Sequence, residues 1–198
     1  AEIGPGWGFM AKSGWNGEFA LKMYRESVRE EISFYDKVFV PPGEYEFYGL
    51  KGYFETPFGN LLYATVSIDA GSFYDGRKAT ISVKPTWGIS SDLILDGYYE
   101  FDRVDFSRRH QALTAQIAQV RLLATLSTKL SASAFIQYDS AADEVTANLR
   151  FRYNPREGND FYIVINEGLN TDRFGYHPSR PSYSNRAIMI KYSYTFVL

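Results

Sequence analysis

Cysteine is absent from the chain, which removes disulfides, thiolate nucleophiles and Cys-based zinc sites together. Histidine is nearly absent: His110 and His177 are the two, set in "RRHQ" and "YHPSR", and neither context offers further ligands at metal-binding spacing. No metal and no cofactor is expected. An excess of charge of either sign is lacking too, since 21 Lys and Arg stand against 23 Asp and Glu, a net of −2. That balance leaves no field to hold a phosphate backbone, so nucleic acid is not expected as a partner. No stretch approaches the ~18 apolar residues of a membrane-spanning helix, and the opening "AEIGPGWGFM" lacks the basic-then-apolar form of a signal peptide. The chain is expected to be mature, trimmed or the tail of a longer protein.

What is abundant is aromatic. Phe, Trp and Tyr make up 17% of the 198 residues, with 16 Tyr and 15 Phe. Tyrosine joins an apolar ring to a wet tip, which suits half-buried strands and membrane–water boundaries.

The arrangement of these residues is periodic. In "SASAFIQYDSAADEVTANLRFRY" (131–153), Ala132, Ala134, Ile136 and Tyr138 alternate with Ser131, Ser133, Gln137 and Asp139, Phe135 being the exception. After "SAADE" the pattern resumes, with Val145, Ala147, Leu149, Phe151 and Tyr153 opposed by Thr146, Asn148, Arg150, Arg152 and Asn154. Period-two alternation on both sides of a turn is a β-hairpin. "RAIMIKYSYTFVL" (186–198) repeats it, with Ile188, Ile190, Tyr192, Tyr194, Phe196 and Leu198 opposite Met189, Lys191, Ser193 and Thr195.

Strand-like runs continue through most of the chain: 45–54, 61–71, 79–87, 93–104 and 160–168, with Asp75-Gly76 as a hairpin turn signal. Pro85 is awkward within a strand because it removes a ladder donor. "LTAQIAQVRLLATL" (113–126) has helix-favouring Ala, Leu and Gln, but Ala118, Val120, Leu122, Ala124 and Leu126 alternate and read as one long strand. Residues 1–43 are harder to read; "GEFALKMYR" and "ISFYDKVFV" resemble two more strands. The total is about eleven strands.

Connections alternate between short turns ("YDG", "SSD", "STK", "PREGN") and longer loops (103–112, 169–185), as expected of strands crossing a barrier with unlike sides. The expected fold is all-β: one antiparallel, up-and-down transmembrane β-barrel domain over 1–198, with barrel strands over 44–198, or the C-terminal part of a larger barrel. Thr146, Asn148, Arg150, Arg152, Lys191, Ser193 and Thr195 are then assigned to a watery lumen, with Glu167 read as a further lumen charge. Val145, Ala147, Leu149, Phe151, Ile188, Ile190, Tyr192, Tyr194 and Phe196 are assigned to lipid. A soluble all-β ligand- or carbohydrate-binding protein would instead turn those apolar faces inward.

No catalytic constellation emerges. Serines are plentiful but no G-x-S-x-G occurs, so an outer-membrane hydrolase is a remote alternative resting on the two histidines. Asp96, Glu100 and Asp102 recur at even spacing, as a glycosidase pair might, and read more simply as charges on a hydrated face.

Taken together, "VPPGEYEF", "GSFYDGRK", "PTWGISSDLILDGYYEFDRVDF", residues 130–172 and "RAIMIKYSYTF" resemble the C-terminal domain of unknown function that follows a family-9-like carbohydrate-binding module in bacterial outer-membrane proteins. The resemblance covers about residues 30–198 and is most specific over 131–172. It implies a barrel in the Gram-negative outer membrane, a porin-like or anchoring role behind an upstream carbohydrate-binding sandwich, and outer-membrane lipid, lipopolysaccharide and neighbouring outer-membrane or periplasmic proteins as partners. The family has no established activity, so it supplies no catalytic residues. The ending "YTFVL" departs from the terminal aromatic usual in such barrels.

Overall fold

A computed structural model describes residues 1–35, 37–175 and 177–195. Its regular elements are β1 (Glu2–Ile3), β2 (Gly6–Met10), β3 (Asn16–Val28), β4 (Ile32–Phe34), β5 (Val38–Val40), β6 (Gly43–Glu55), β7 (Leu62–Phe73), β8 (Gly76–Ser90), β9 (Leu93–Phe106), β10 (Gln111–Ser127), β11 (Leu130–Asp139), β12 (Glu144–Arg156), β13 (Asn159–Asn170) and β14 (Tyr183–Tyr194). The one helical turn among the described residues is a 3-10 segment, Ser107–Arg109.

Twelve strands form one sheet in the order β1-β3-β6-β7-β8-β9-β10-β11-β12-β13-β14, with β2 also on β3. Among the long strands each neighbour in the sheet is the next long strand in sequence, which is an antiparallel up-and-down meander. The ladder is open: no pairing of described residues joins β14 to β1 or β2.

By its contacts the chain divides into two compact units, 1–85 with 99–116, and 86–98 with 117–198. The division falls at Pro85, inside β8 rather than at its edge. The long segment 113–126 is strand throughout. Alternation therefore outweighed helix propensity, because a strand there pairs with a partner of matching period.

The first 43 residues differ from their sequence reading. Residues 1–10 are a strand along β3, with Ile3 opposite Met23 and Gly6 opposite Ala20 in one unbroken register. Pro5 has no N–H, so it interrupts the ladder, yet its carbonyl still accepts from the Leu21 N–H at 3.0 Å. Residues 32–40 are not one strand but the hairpin β4–β5, reversed at Tyr35, whose φ is 52°. The expected count of about eleven included 32–40 and omitted 1–10, so its agreement with the sheet path is fortuitous.

Two expected loops also shrink. The segment 103–112 is mostly β9 and β10, joined by 107–110, and 169–185 reduces to 171–182. Two-residue turns 91–92, 128–129 and 157–158 lie at one end of their strands; 29–42 and 171–182 lie at the other, together with the tight turn 74–75.

Candidate functional site

In the second unit the registers of β10 to β14 divide the side chains into two faces. Val120, Ile136, Ala147, Glu167 and Arg186 stand in one cross-strand row, and Leu122, Ala134, Leu149, Ile165 and Ile188 in the next. Phe151, Ile163 and Ile190 follow, then Tyr153, Phe161 and Tyr192. This face is apolar across five strands and uncovered: Ile190 is 67% exposed, Val120 51% and Leu149 44%.

The opposite face is polar and internally bonded. Gln119 donates to Gln137 at 3.0 Å, and Asn148 donates to Asn166 across the β12–β13 pair. Arg152 meets Asp160 at 2.7 Å, and Asn154 donates to the same carboxylate at 3.1 Å. The guanidinium of Arg150 lies 4.9 Å from the Tyr162 ring centre. Asp96 on β9 accepts from the Thr86 hydroxyl at 2.8 Å and pairs with Arg121 at 3.2 Å.

The residues assigned from sequence to two environments fall on two faces of this sheet. Thr146, Asn148, Arg150 and Arg152 share their face with Lys191 and Ser193 through β13, whereas Val145, Ala147, Leu149 and Phe151 share the other with Ile188, Ile190 and Tyr192. Tyr194 closes its row opposite Asn159. Thr195 lies just past β14, where its N–H donates to the Gly158 carbonyl at 2.8 Å. Phe196 lies outside the described residues. Glu167 is a correction: it stands opposite Ala147 on the apolar face, where it pairs with Arg186. Its parity was unreadable because "FYIVI" does not alternate, and the same run concealed Asp160, Tyr162 and Asn166 as members of the polar face.

The first unit repeats the division. Leu21, Leu50 and Ala70 form one exposed apolar row, with Phe19, Gly52 and Ile68 beside it. A Cβ at Gly52 would stand 2.4 Å from the Phe19 ring, so the glycine is what lets that ring lie across β6. On the other face Lys22 pairs with Glu2 at 3.3 Å, Lys78 with Asp69 at 2.8 Å, and Thr80 donates to Asp102 at 2.5 Å. Lys51 stands opposite Asp69, and its ammonium sits 5.3 Å from the Tyr24 ring centre. Glu2, Lys22, Lys51, Asp69 and Thr80 line an open cavity of about 380 Å³.

Farther along that same face, at the ends of β3 and β9, lies the tightest packing of the molecule. Val38 and Val40 of the β4–β5 hairpin and Phe106 are fully buried, with Val28, Val104 and Leu113 around them. The hairpin is fastened by polar contacts: the Phe39 N–H donates to Gln111 Oε1 at 3.2 Å, and Arg109 donates to the Phe39 carbonyl while pairing with Asp75 at 2.7 Å.

The spaced carboxylates Asp96, Glu100 and Asp102 are thus engaged with neighbours on the polar face. His110 and His177 are exposed in separate connections, 107–110 and 171–182. Among the described residues no group of three metal-ligating side chains converges. The chain matches no family model, no curated protein and no solved structure.

Proposed function

We propose that this chain is a non-enzymatic β-barrel of the bacterial outer membrane, serving as an anchor whose lumen is narrowed by its own β4–β5 hairpin. The observation that carries the reading is the uncovered apolar face running across five adjacent strands, backed by a polar face of ion pairs and side-chain hydrogen bonds. A water-soluble sheet buries its apolar face and wets its polar one. Among the described residues the one dense apolar cluster sits on the polar face of the first unit, and the broad apolar surface of the second unit meets no second layer. Lipid outside and water inside satisfies both faces.

Three further features support it. The long strands, of 10 to 17 residues, are sufficient to cross a bilayer when tilted. Trp7, Phe9, Phe19 and Phe54 gather on the apolar side near one strand end, where an interfacial aromatic belt belongs. Both outer strands of the ladder, residues 1–10 and β14, present long edges unpaired among the described residues, which barrel closure would satisfy.

The test is extraction of host membranes with carbonate, followed by electrophoresis with and without boiling. A chain retained in the membrane, with mobility that changes on boiling, is the expected result. A chain that washes off and runs alike in both lanes would assign the apolar faces to a soluble binding protein instead.

A further inference from the structure

Toward the turns 128–129 and 157–158, the polar face of the second unit carries more cations than carboxylates, Asp139 and Glu144 standing at the other end of β11 and β12. One cross-strand row reads Thr125, Ser131, Arg152, Tyr162, Lys191 from β10 to β14, and Arg150 lies in the adjacent row beside Ser133. Of these three cations only Arg152 is paired, with Asp160. Arg150 touches the Tyr162 ring and meets no carboxylate among the described residues; Lys191 has no ion pair among them either. On the same face Arg121 is matched by Asp96 at 3.2 Å.

The geometry points to a binding site for a phosphate-bearing small molecule on this face, centred on Arg150, Arg152, Tyr162 and Lys191. Two uncompensated cations match the charge of a phosphomonoester dianion. Planar guanidinium forks suit its oxygens, and an ammonium adds a point charge. The hydroxyls of Thr125, Ser131 and Ser133 supply neutral donors on the facing strands. Arg150, Arg152, Tyr162 and these three hydroxyls line an open cavity of about 380 Å³, within the range of small-ligand sites, and Lys191 stands outside its lining, opposite Tyr162 on β14. The assignment rests on the reading of this face as the water-filled one. It lies near the two-residue turns 128–129 and 157–158, at the opposite strand end from the 171–182 connection.

The experiment is calorimetric titration of the full chain in a zwitterionic detergent with inorganic phosphate, then glycerol phosphate, with chloride at matched ionic strength as the blank. Saturable heat with either phosphate and none with chloride is expected. Arg150→Gln and Lys191→Gln should each weaken binding about tenfold or more, while Lys12→Gln, in the exposed turn 11–15, leaves it unchanged. Repeating the titration in micelles doped with phosphatidic acid separates the sources: competition shows that a lipid headgroup can fill the site, and its absence restricts the site to soluble phosphates. Heat that tracks ionic strength alone, or equal affinities for Arg150→Gln and Lys12→Gln, would overturn the proposal. If the chain proves soluble without detergent, the same titration in plain buffer still decides the site, so its failure and that of the membrane reading are read separately.

Discussion

The guanidinium of Arg109 lies 4.1 Å from the ring centre of Phe106, a residue with no solvent exposure. The cation thus roofs the apolar cluster while its nitrogens hold Asp75 and the Phe39 carbonyl, locking the hairpin down from outside. Replacing Arg109 with Ala removes the cation–π contact, the ion pair and the backbone bond together. The expected cost is about 2–4 kcal/mol. Hydrogen exchange should rise at residues 38–40 and stay unchanged in β11–β13; uniform protection across 38–40 in the variant would refute the lock.

Leu149 offers a sharper test of the outer face. It is 44% exposed, so in water an arginine there would be nearly neutral. Against lipid, Leu149→Arg should cost about 2–4 kcal/mol near the midplane. Equilibrium unfolding in phospholipid vesicles measures the difference, and a cost within about 0.5 kcal/mol would remove lipid from that face.

Glu167 and Arg186 form an ion pair on the otherwise apolar side of β13 and β14. Next to lipid an unpaired carboxylate is costly, so Arg186→Leu alone should destabilise more than Arg186→Leu combined with Glu167→Leu. In water the pair would be worth little and the two variants would be alike. Unfolding midpoints of the four proteins of this cycle decide between the two environments.

Tyr74, in the tight turn beside the buried cluster, has its phenol pushed up to about 12, first by burial and then by the nearby Glu26 carboxylate, to which it donates at 3.3 Å. The neutral phenol is the form favoured in the folded protein. Its contribution is therefore complete below the ordinary tyrosine value near 10 and is lost as pH rises from there through about 12. Absorbance at alkaline pH should show one tyrosinate forming late, and Tyr74→Phe should delete that late step. Loss of an early step instead would contradict the burial.

The meander and its two-faced character were legible because most strands alternate cleanly. β11 and β12 pair Ile136 with Ala147 and Ala134 with Leu149, joining residues that alternation alone had already placed on one side. Where alternation fails, so does the reading. Glu167 comes after the non-alternating run at 161–165 and Asn166, and only pairing with β12 fixes its side. Residues 32–40 keep even parity from Ile32 through Val40, which disguises the reversal at Tyr35. Gly4, Pro5, Gly6 and Gly8 obscured the strand at 1–10, because its pairing depends on β3 rather than on its own propensity. The unneutralised charge around Arg150 was legible only in part: the cations stand in the sequence, but which carboxylates reach them depends on register.

The fastening of Phe39 to Arg109 and Gln111 spans about seventy residues of chain, whereas each long strand pairs with its immediate successor. Short-range pairing costs little loop entropy and can proceed hairpin by hairpin as the chain is laid down. The β4–β5 hairpin has local neighbours in Val28 and Tyr45, on the strands before and after it, but not enough of them to bury it. Full burial of its valines draws on Phe106 and Leu113 of β9 and β10, so their burial reports the first unit as assembled.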